Sequence, residues 1–489
     1  MGCGSKDGQC KNGSCSTAAP DDDLQLFKKQ EIIYPKKVKG KFRTIKWVTM
    51  IVCLAFYYLA PFIRWDRGPN APDQAIMIDL NKGRAYWFWF EIWPQEVYIL
   101  TGILIIAAIA LFFVTSLFGR VWCGFLCFQT VWTDLFVWVE RIIQGDSFQR
   151  RKLHEGPWTF EKFFKLLATH LSWLAISWVT AGSFVLYFTD APTLVKSFFE
   201  FNVSSTVLAF IIGLTSSTYL LAGFAREQVC TYMCPYARFQ SAMFDKDTLI
   251  ISYDQKRGEP RGKHKKGADW TGLGDCVDCT ACVQVCPTGI DIRDGLQMEC
   301  IACGLCIDAC DEVMDKVGLP RGLIAYHTER YFDERTHEKT EKIRFIRPRT
   351  IYYAVILTVV VSVMLYALIA RSQLELAVLH DRNPLFVTLS NGDIRNGYEI
   401  KILNKTHEHR HYTLKVEGID NATIKVNAAG NVSTDQIYVE ADSVGQYKVF
   451  VESKIKPQEP FDIEFYLIDN ETGQKVEHET MFITQRSTE

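Results

Sequence analysis

The chain has no excess of charge of either sign: 54 Lys and Arg stand against 56 Asp and Glu, a formal net of −2. That balance excludes a strongly basic nucleic-acid binder and an acidic disordered chain. No apolar run occurs in the opening MGCGSKDGQCKNGSC, so no cleaved signal peptide is read there. It reads as a Gly/Ser-rich tail in which Cys3, Cys10 and Cys15 are stray thiols. Histidine is scarce, 10 residues in all, and His170 alone falls in a long apolar stretch. A membrane haem held by two histidines therefore has no second ligand. The stretch 226–349 has no Rossmann or flavin fingerprint, so an electron donor must come from outside. The stretch 371–489 has no cysteine, so no disulfide staples it.

What the chain does have is segregation. At 489 residues it is too long for one core of roughly 150 residues. Uncharged apolar stretches at Trp47–Ile63, Val97–Phe118, Leu166–Thr189, Phe201–Ala225 and Ile351–Ala370 are each long enough for a membrane helix, which needs about 20 residues. The flanks between them carry eight, four, seven, one and nine Lys/Arg in order. By the positive-inside rule this alternation puts the N-terminus and 226–349 in the cytoplasm and everything after Ala370 outside. Trp65, Trp87, Trp89 and Trp93 then read as an outer aromatic belt, and Trp122, Trp132 and Trp138 as an inner one. Glu91 and Glu96 read as outer surface, with an outer metal or quinol contact as the alternative.

The expected fold is an α-helical integral membrane protein of about five spans, with an inserted α+β dicluster ferredoxin module and a C-terminal all-β immunoglobulin-like sandwich. The expected division is 1–43, a basic N-terminus; 44–225, four spans; 226–349, a block holding the ferredoxin module at about 270–325; 350–370, the fifth span; and 371–489, the sandwich. The last rests on seven or eight alternating runs, among them FVTLS from Phe386, YEIKILN from Tyr398 and FDIEFYLID from Phe461, separated by turn residues.

Eight of the sixteen cysteines fall between Cys276 and Cys310. Cys276-x2-Cys279-x2-Cys282-x3-Cys286-Pro287 is followed by Cys300-x2-Cys303-x2-Cys306-x3-Cys310. This is two-cluster ferredoxin spacing, in which the fourth cysteine of each run serves the other cluster. One [4Fe–4S] cluster is thus assigned Cys276, Cys279, Cys282 and Cys310, and the other Cys300, Cys303, Cys306 and Cys286. Zinc knuckles would need wider spacers inside each ligand group.

Two further pairs, Cys123-x3-Cys127 and Cys230-x3-Cys234, follow the second and fourth apolar stretches. On a helix, i and i+4 share a face, so each pair would present two sulfurs together. Packing explains a lone pair of cysteines. Two matched pairs at corresponding span ends point to a metal or redox site, and thiolates suit Cu(I), zinc or iron–sulfur. Cys53, alone in a span, reads as packing, and the basic Arg257–Lys266 as a contact for anionic lipid.

The segments GRVWCGFLCFQTVWTDLF (from Gly119), REQVCTYMCPYARFQSAMFDKDTLIISYD (from Arg226) and RGEPRG (from Arg257) resemble the CcoG/FixG/RdxA family of cytochrome c oxidase accessory proteins. The resemblance covers nearly the whole chain. It departs at Phe128, where the family's first cysteine pair is followed by Pro; Pro235 keeps it in the second. The resemblance implies a bacterial cytoplasmic-membrane protein that reduces Cu(II) to Cu(I) for a cbb-type oxidase. Cys123, Cys127, Cys230 and Cys234 would act on copper as substrate or bound ion, or form a third thiolate metal site. Implied partners are membrane lipid, a copper transporter or chaperone, oxidase subunits or assembly factors and a cytoplasmic electron donor, with no nucleic acid. The alternatives are a non-catalytic assembly scaffold and an electron-transfer subunit of another respiratory reductase.

Overall fold

The computed structural model describes residues 32–68, 71–263, 271–335, 344–419, 422–428, 430–453 and 460–484. The tail cysteines Cys3, Cys10 and Cys15, and residues 264–266 of the basic run, lie outside the described residues.

Among the described residues, five helical segments are long and apolar enough to cross a membrane: Lys41–Phe62, Pro94–Phe118, Val121–Gln144, Ser205–Met233 and Pro348–Ile369. Four coincide with expected spans; the third differs. The expected Leu166–Thr189 lies for the most part in the helix Phe160–Val185, whose first turns carry Glu161, Lys162 and Lys165. Val121–Gln144, read from the sequence as part of a connecting loop, qualifies instead. It breaks at Cys127, and its long part, Phe128–Gln144, is amphipathic and buries Asp134 and Glu140. A search for uncharged runs misses such a segment, because its apolar residues recur around one face.

Both ends of Val121–Gln144 lie beside the ferredoxin module. Gly124 abuts Ile301 and Ala302. Just past the other end, Asp146 accepts from the N–H of Lys37, whose neighbour Lys36 donates to Gln284 O at 2.8 Å. The helix thus forms a plate between the module and Phe160–Val185, onto which Trp173 stacks against Phe136.

The module is small. Strands Ile250–Tyr253 and Ile324–His327 pair antiparallel, and helices Ala281–Gln284 and Leu305–Val317 carry the third cysteine of each run, Cys282 and Cys306. Its core is Ile251, Ile292, Ile307, Met314, Leu323 and Ile324 with Cys276, Cys282 and Cys310. It is tied to the first span by Asp308, whose carboxylate accepts from the N–H groups of Phe42 (3.1 Å) and Arg43 (2.7 Å). Gly40 precedes that helix and has no side chain to cap it. The carboxylate of Asp308 takes over the capping, satisfying orphan N–H groups and opposing the helix dipole.

At the other end of the bundle, Ile76–Asp79, Arg84–Trp87 and Phe90–Ile92 form a three-stranded antiparallel sheet that the aromatic-belt reading overlooked. It buries Trp93, which is 2% exposed under the Arg84 guanidinium, so Trp93 is not a belt residue. Glu91 and Glu96, expected at the surface, are buried as well. Glu96 accepts from Lys405 (2.8 Å) and Arg371 (2.7 Å) and anchors the C-terminal sandwich.

That sandwich packs a six-stranded sheet on a four-stranded one. Tyr398, Ile400, Ile402, Leu414, Val449, Val451, Phe465 and Leu467 face each other between them. Leu374–His380 and Gly430–Val432 are strands beyond the runs read from the sequence. Leu374–His380 was masked by its closeness to the apolar end of the last span.

Candidate functional site

The two cysteine runs follow one backbone recipe. In the first, Asp278 (φ 51°) and Thr280 (φ 55°) are left-handed on either side of Cys279; in the second, Ala302 (φ 53°) and Gly304 (φ 74°) flank Cys303. Residues in this conformation curl the chain so that successive N–H groups point inward, the concave nest common at iron–sulfur sites. A short helix then carries the third cysteine.

The folded chain groups the eight sulfurs. Cys310 interacts with Cys282, Cys279 and Cys276. Cys306 interacts most with Cys303, Cys300 and Cys286, and less with Cys282 of the first set. The second set lines a cavity closed by Ile251, Ile292, Ile301 and Pro287. Burial pushes the thiols of Cys282, Cys300 and Cys310 up to about 12, and that of Cys303 up also. Burial keeps these thiols protonated when no metal is bound, and eight sulfurs gathered at this spacing are the donor set of two iron–sulfur clusters. Cys279 is the exposed member of the first set, whose Cys276, Cys282 and Cys310 are buried.

The segment Arg257–Gly262 wraps the first run and does not stand free as a basic patch. Arg257 pairs with Asp275, the Asp275 N–H donates to Arg257 O (2.9 Å), and the Gly262 N–H donates to Cys276 O (3.1 Å).

The two Cys-x3-Cys pairs also come together. Cys123 interacts with Cys127 and Cys230, and Cys230 with Cys127 and Cys234. Neither pair sits on one continuous helix, as the i, i+4 argument required. Cys123 lies in the helix Val121–Phe125, whereas Cys127 is extended (φ −60°, ψ 128°) and caps Phe128–Gln144. Cys230 lies in a π-helical turn, Val229–Met233, and Cys234 is extended (φ −80°, ψ 111°) before Pro235–Ala242. Proline drives the residue before it into the extended region. Cys127 adopts the same conformation without one, so the departure at Phe128 leaves the geometry intact.

This four-thiol site abuts the second cluster set. Cys123 packs against the group that contains Cys303, Ile301 and Leu305. A Cβ on Gly124 would lie 2.7 Å from Ile301 O and 3.0 Å from Cys303 Cα, a fit only glycine allows. Arg120, 6% exposed, donates to the carbonyls of Ala237, Met298 and Cys300 and so places a cation between the two sets. Gln240 accepts from Cys123 Sγ at 3.5 Å. Sequence reasoning missed Gly124, Arg120 and Gln240. The signal for the first two was their position flanking Cys123 in GRVWCG.

Five apolar helices, paired ferredoxin loops and a β-sandwich define a membrane-associated iron–sulfur protein of the [4Fe–4S] type. Family models agree with these parts: a 4Fe-4S dicluster domain over residues 225–329, a 4Fe-4S binding domain over 100–145, and an IG-like fold at the C-terminal of FixG over 364–485. The chain is 47% identical over 456 residues to nitrogen fixation protein FixG of Rhizobium meliloti, covering 87% of each. It is 46% identical to protein RdxA (87% of this chain, 90% of that one) and 45% identical to protein RdxB (95% and 98%), both of Cereibacter sphaeroides. The crystal structure of a FixG-related protein from Vibrio parahaemolyticus aligns at 24% identity and TM-score 0.21, over 24% of this chain and 99% of that one. The chain belongs to the FixG/RdxA family.

Proposed function

We propose that this protein reduces Cu(II) to Cu(I) at Cys123, Cys127, Cys230 and Cys234, for assembly of the copper centre of a cbb-type cytochrome c oxidase. The observation that carries the reading is the contact of Gly124 with Ile301 and Cys303, which sets a four-thiol site against the second cluster set. One set is held by Cys276, Cys279, Cys282 and Cys310, and the other by Cys300, Cys303, Cys306 and Cys286. When bound, the clusters supply single electrons. Each Cu(II) takes up one electron and becomes Cu(I), the state that soft thiolates retain and pass on. Arg120 and the buried Lys46 set positive charge beside this junction. The ferredoxin module faces the cytoplasm and the sandwich the periplasm of a bacterial inner membrane; the alternation of Lys/Arg along the flanks supports this. A cytoplasmic reductant is the donor, and a copper transporter or chaperone receives Cu(I).

The test is the double variant Cys230→Ala/Cys234→Ala, with the ferredoxin clusters intact and Cu(I) trapped by a chelator. Reduction should fall to background. Reduction at the parental rate overturns the copper site, and reduction-inert clusters in the parent favour an assembly scaffold.

A second reading places an iron–sulfur cluster at the same thiols. The 4Fe-4S binding model over 100–145 favours it, because Cys123 and Cys127 are the only cysteines there. Iron and sulfide content separates the readings: it drops in the double variant only if these thiols hold a cluster.

A further inference from the structure

The outer sheet and the sandwich meet at a group of metal-ligating side chains. Glu91, His407 and Asp442 each bring one ligand atom to within 4.8 Å of the others. Glu91 and Asp442 are each 5% exposed. Glu91 Oε1 and Asp442 Oδ1 are buried and have no hydrogen-bond partner. Buried carboxylate oxygens are normally satisfied, and two orphans in one place need a counter-charge.

The nearby guanidinium groups are committed elsewhere. Arg67 directs its donors to the carbonyls of Phe88, Pro72, Gln74 and Ala75. Arg84 donates to the backbone carbonyl of Asp442 (2.9 Å) and stacks on Trp93 at 3.4 Å. His407 Nδ1 lies 2.8 Å from Asp442 Oδ2, and the imidazole is half-exposed, so an ion can enter from its side.

We infer that Glu91, His407 and Asp442 bind a single divalent transition-metal ion of the Zn²⁺ or Cu²⁺ class. One imidazole and two carboxylates are a hard-to-borderline donor set, which suits these ions and not Cu(I). With bonds of about 2.0–2.2 Å, ligand atoms stand roughly 3–3.5 Å apart, which the observed grouping accommodates, and water completes the shell. Glu91 comes from the membrane-proximal sheet, whereas His407 and Asp442 come from the sandwich. The ion therefore cross-links the two parts beside the ion pair of Glu96 with Lys405. The inference is independent of the thiol chemistry at the opposite end of the bundle.

The probe is Cu²⁺ added to the full-length protein in detergent, with its clusters oxidised and its accessible thiols alkylated by N-ethylmaleimide. Electron spin echo modulation should show one Cu²⁺ coupled to the remote nitrogen of a single imidazole, displaced by added Zn²⁺. His407→Ala should abolish the modulation, and His409→Ala, at an exposed neighbour, should leave it. The near-isosteric Glu91→Gln and Asp442→Asn should each weaken binding by more than about tenfold. A parent with no imidazole-bound Cu²⁺, or a signal that survives in His407→Ala, overturns the site. Unchanged affinity in both isosteric variants does so as well.

Discussion

Gly124 and Ile301 meet backbone to backbone: a Cβ on Gly124 would stand 2.7 Å from the Ile301 carbonyl oxygen. The two residues are 177 positions apart, one in the short helix that carries Cys123 and the other in the loop that carries Cys300 and Cys303. Three consequences for the redox machinery, and one for pH, can be measured.

Replacing Gly124 forces this contact open. Gly124→Val adds volume where the neighbours, Ile301 O, Ala302 O and Cys303 Cα, are backbone atoms that cannot swing away. Overpacking of this kind costs about 1–3 kcal/mol. The expected result is a lower thermal midpoint together with slower Cu(II) reduction, while cysteine count is unchanged. A variant with parental midpoint and rate would show that the two loops need not touch.

The grouping of sulfurs predicts crossed losses. Cys310→Ser should remove the same cluster signal as Cys279→Ser, although Cys310 ends the second run. Likewise Cys286→Ser should match Cys303→Ser. EPR of the reduced variants reads this directly, each set retaining the other cluster's spectrum. Losses that follow the order of the sequence would overturn the crossed assignment.

The first span, which holds the module through Asp308, is tied to Phe128–Gln144 by buried charge. Arg43 Nη1 donates to both carboxylate oxygens of Asp134 at 2.9 Å, and Lys46 stands 3.8 Å away. Asp134→Ala leaves two buried cations unpaired, and breaking such a pair costs about 3–5 kcal/mol. Limited proteolysis should then cut the module free faster than in the parent. Asp134→Glu should recover part of the protection.

An acid-sensitive tie joins the end of the second cysteine-pair segment to the stretch before the last span. Arg330 Nε and Nη2 donate to Asp247 at 2.6 and 2.9 Å. This pairing holds the Asp247 carboxyl below its usual range. A carboxyl lowered by folding stabilises the native state above its unfolded value near 3.9 and loses that contribution as pH falls through the folded value. Asp247→Asn should therefore lower stability slightly at neutral pH, where the contribution is fully present, and flatten the acid side of the stability curve below about pH 4. The partial exposure of the pair keeps the effect small. An unchanged acid limb would contradict it.

Much of the protein was legible in one dimension because the relevant patterns are local. Membrane helices announce themselves by uncharged length, strands by alternation, and paired ferredoxin loops by cysteine spacing, since a short loop must supply three thiols to one cluster. The Phe128–Gln144 helix escaped because its polar face, with Asp134 and Glu140, breaks the uncharged run while its other face remains apolar. The i, i+4 argument failed at Cys127 and Cys234 because a helix can end at the second cysteine, and spacing alone does not report a break.

By itself, then, the sequence determined the kinds of parts present and the sulfurs that could hold clusters, for these are properties of neighbouring residues. The folded chain alone decided which parts touch. It set Cys123 beside Cys303, buried Glu96 under Lys405 and gathered Glu91, His407 and Asp442. Cys123 and Cys303, Glu96 and Lys405, and Glu91 and Asp442 stand 180, 309 and 351 positions apart, and only packing of whole elements, each burying its own apolar face, brings such distant residues within reach of one another.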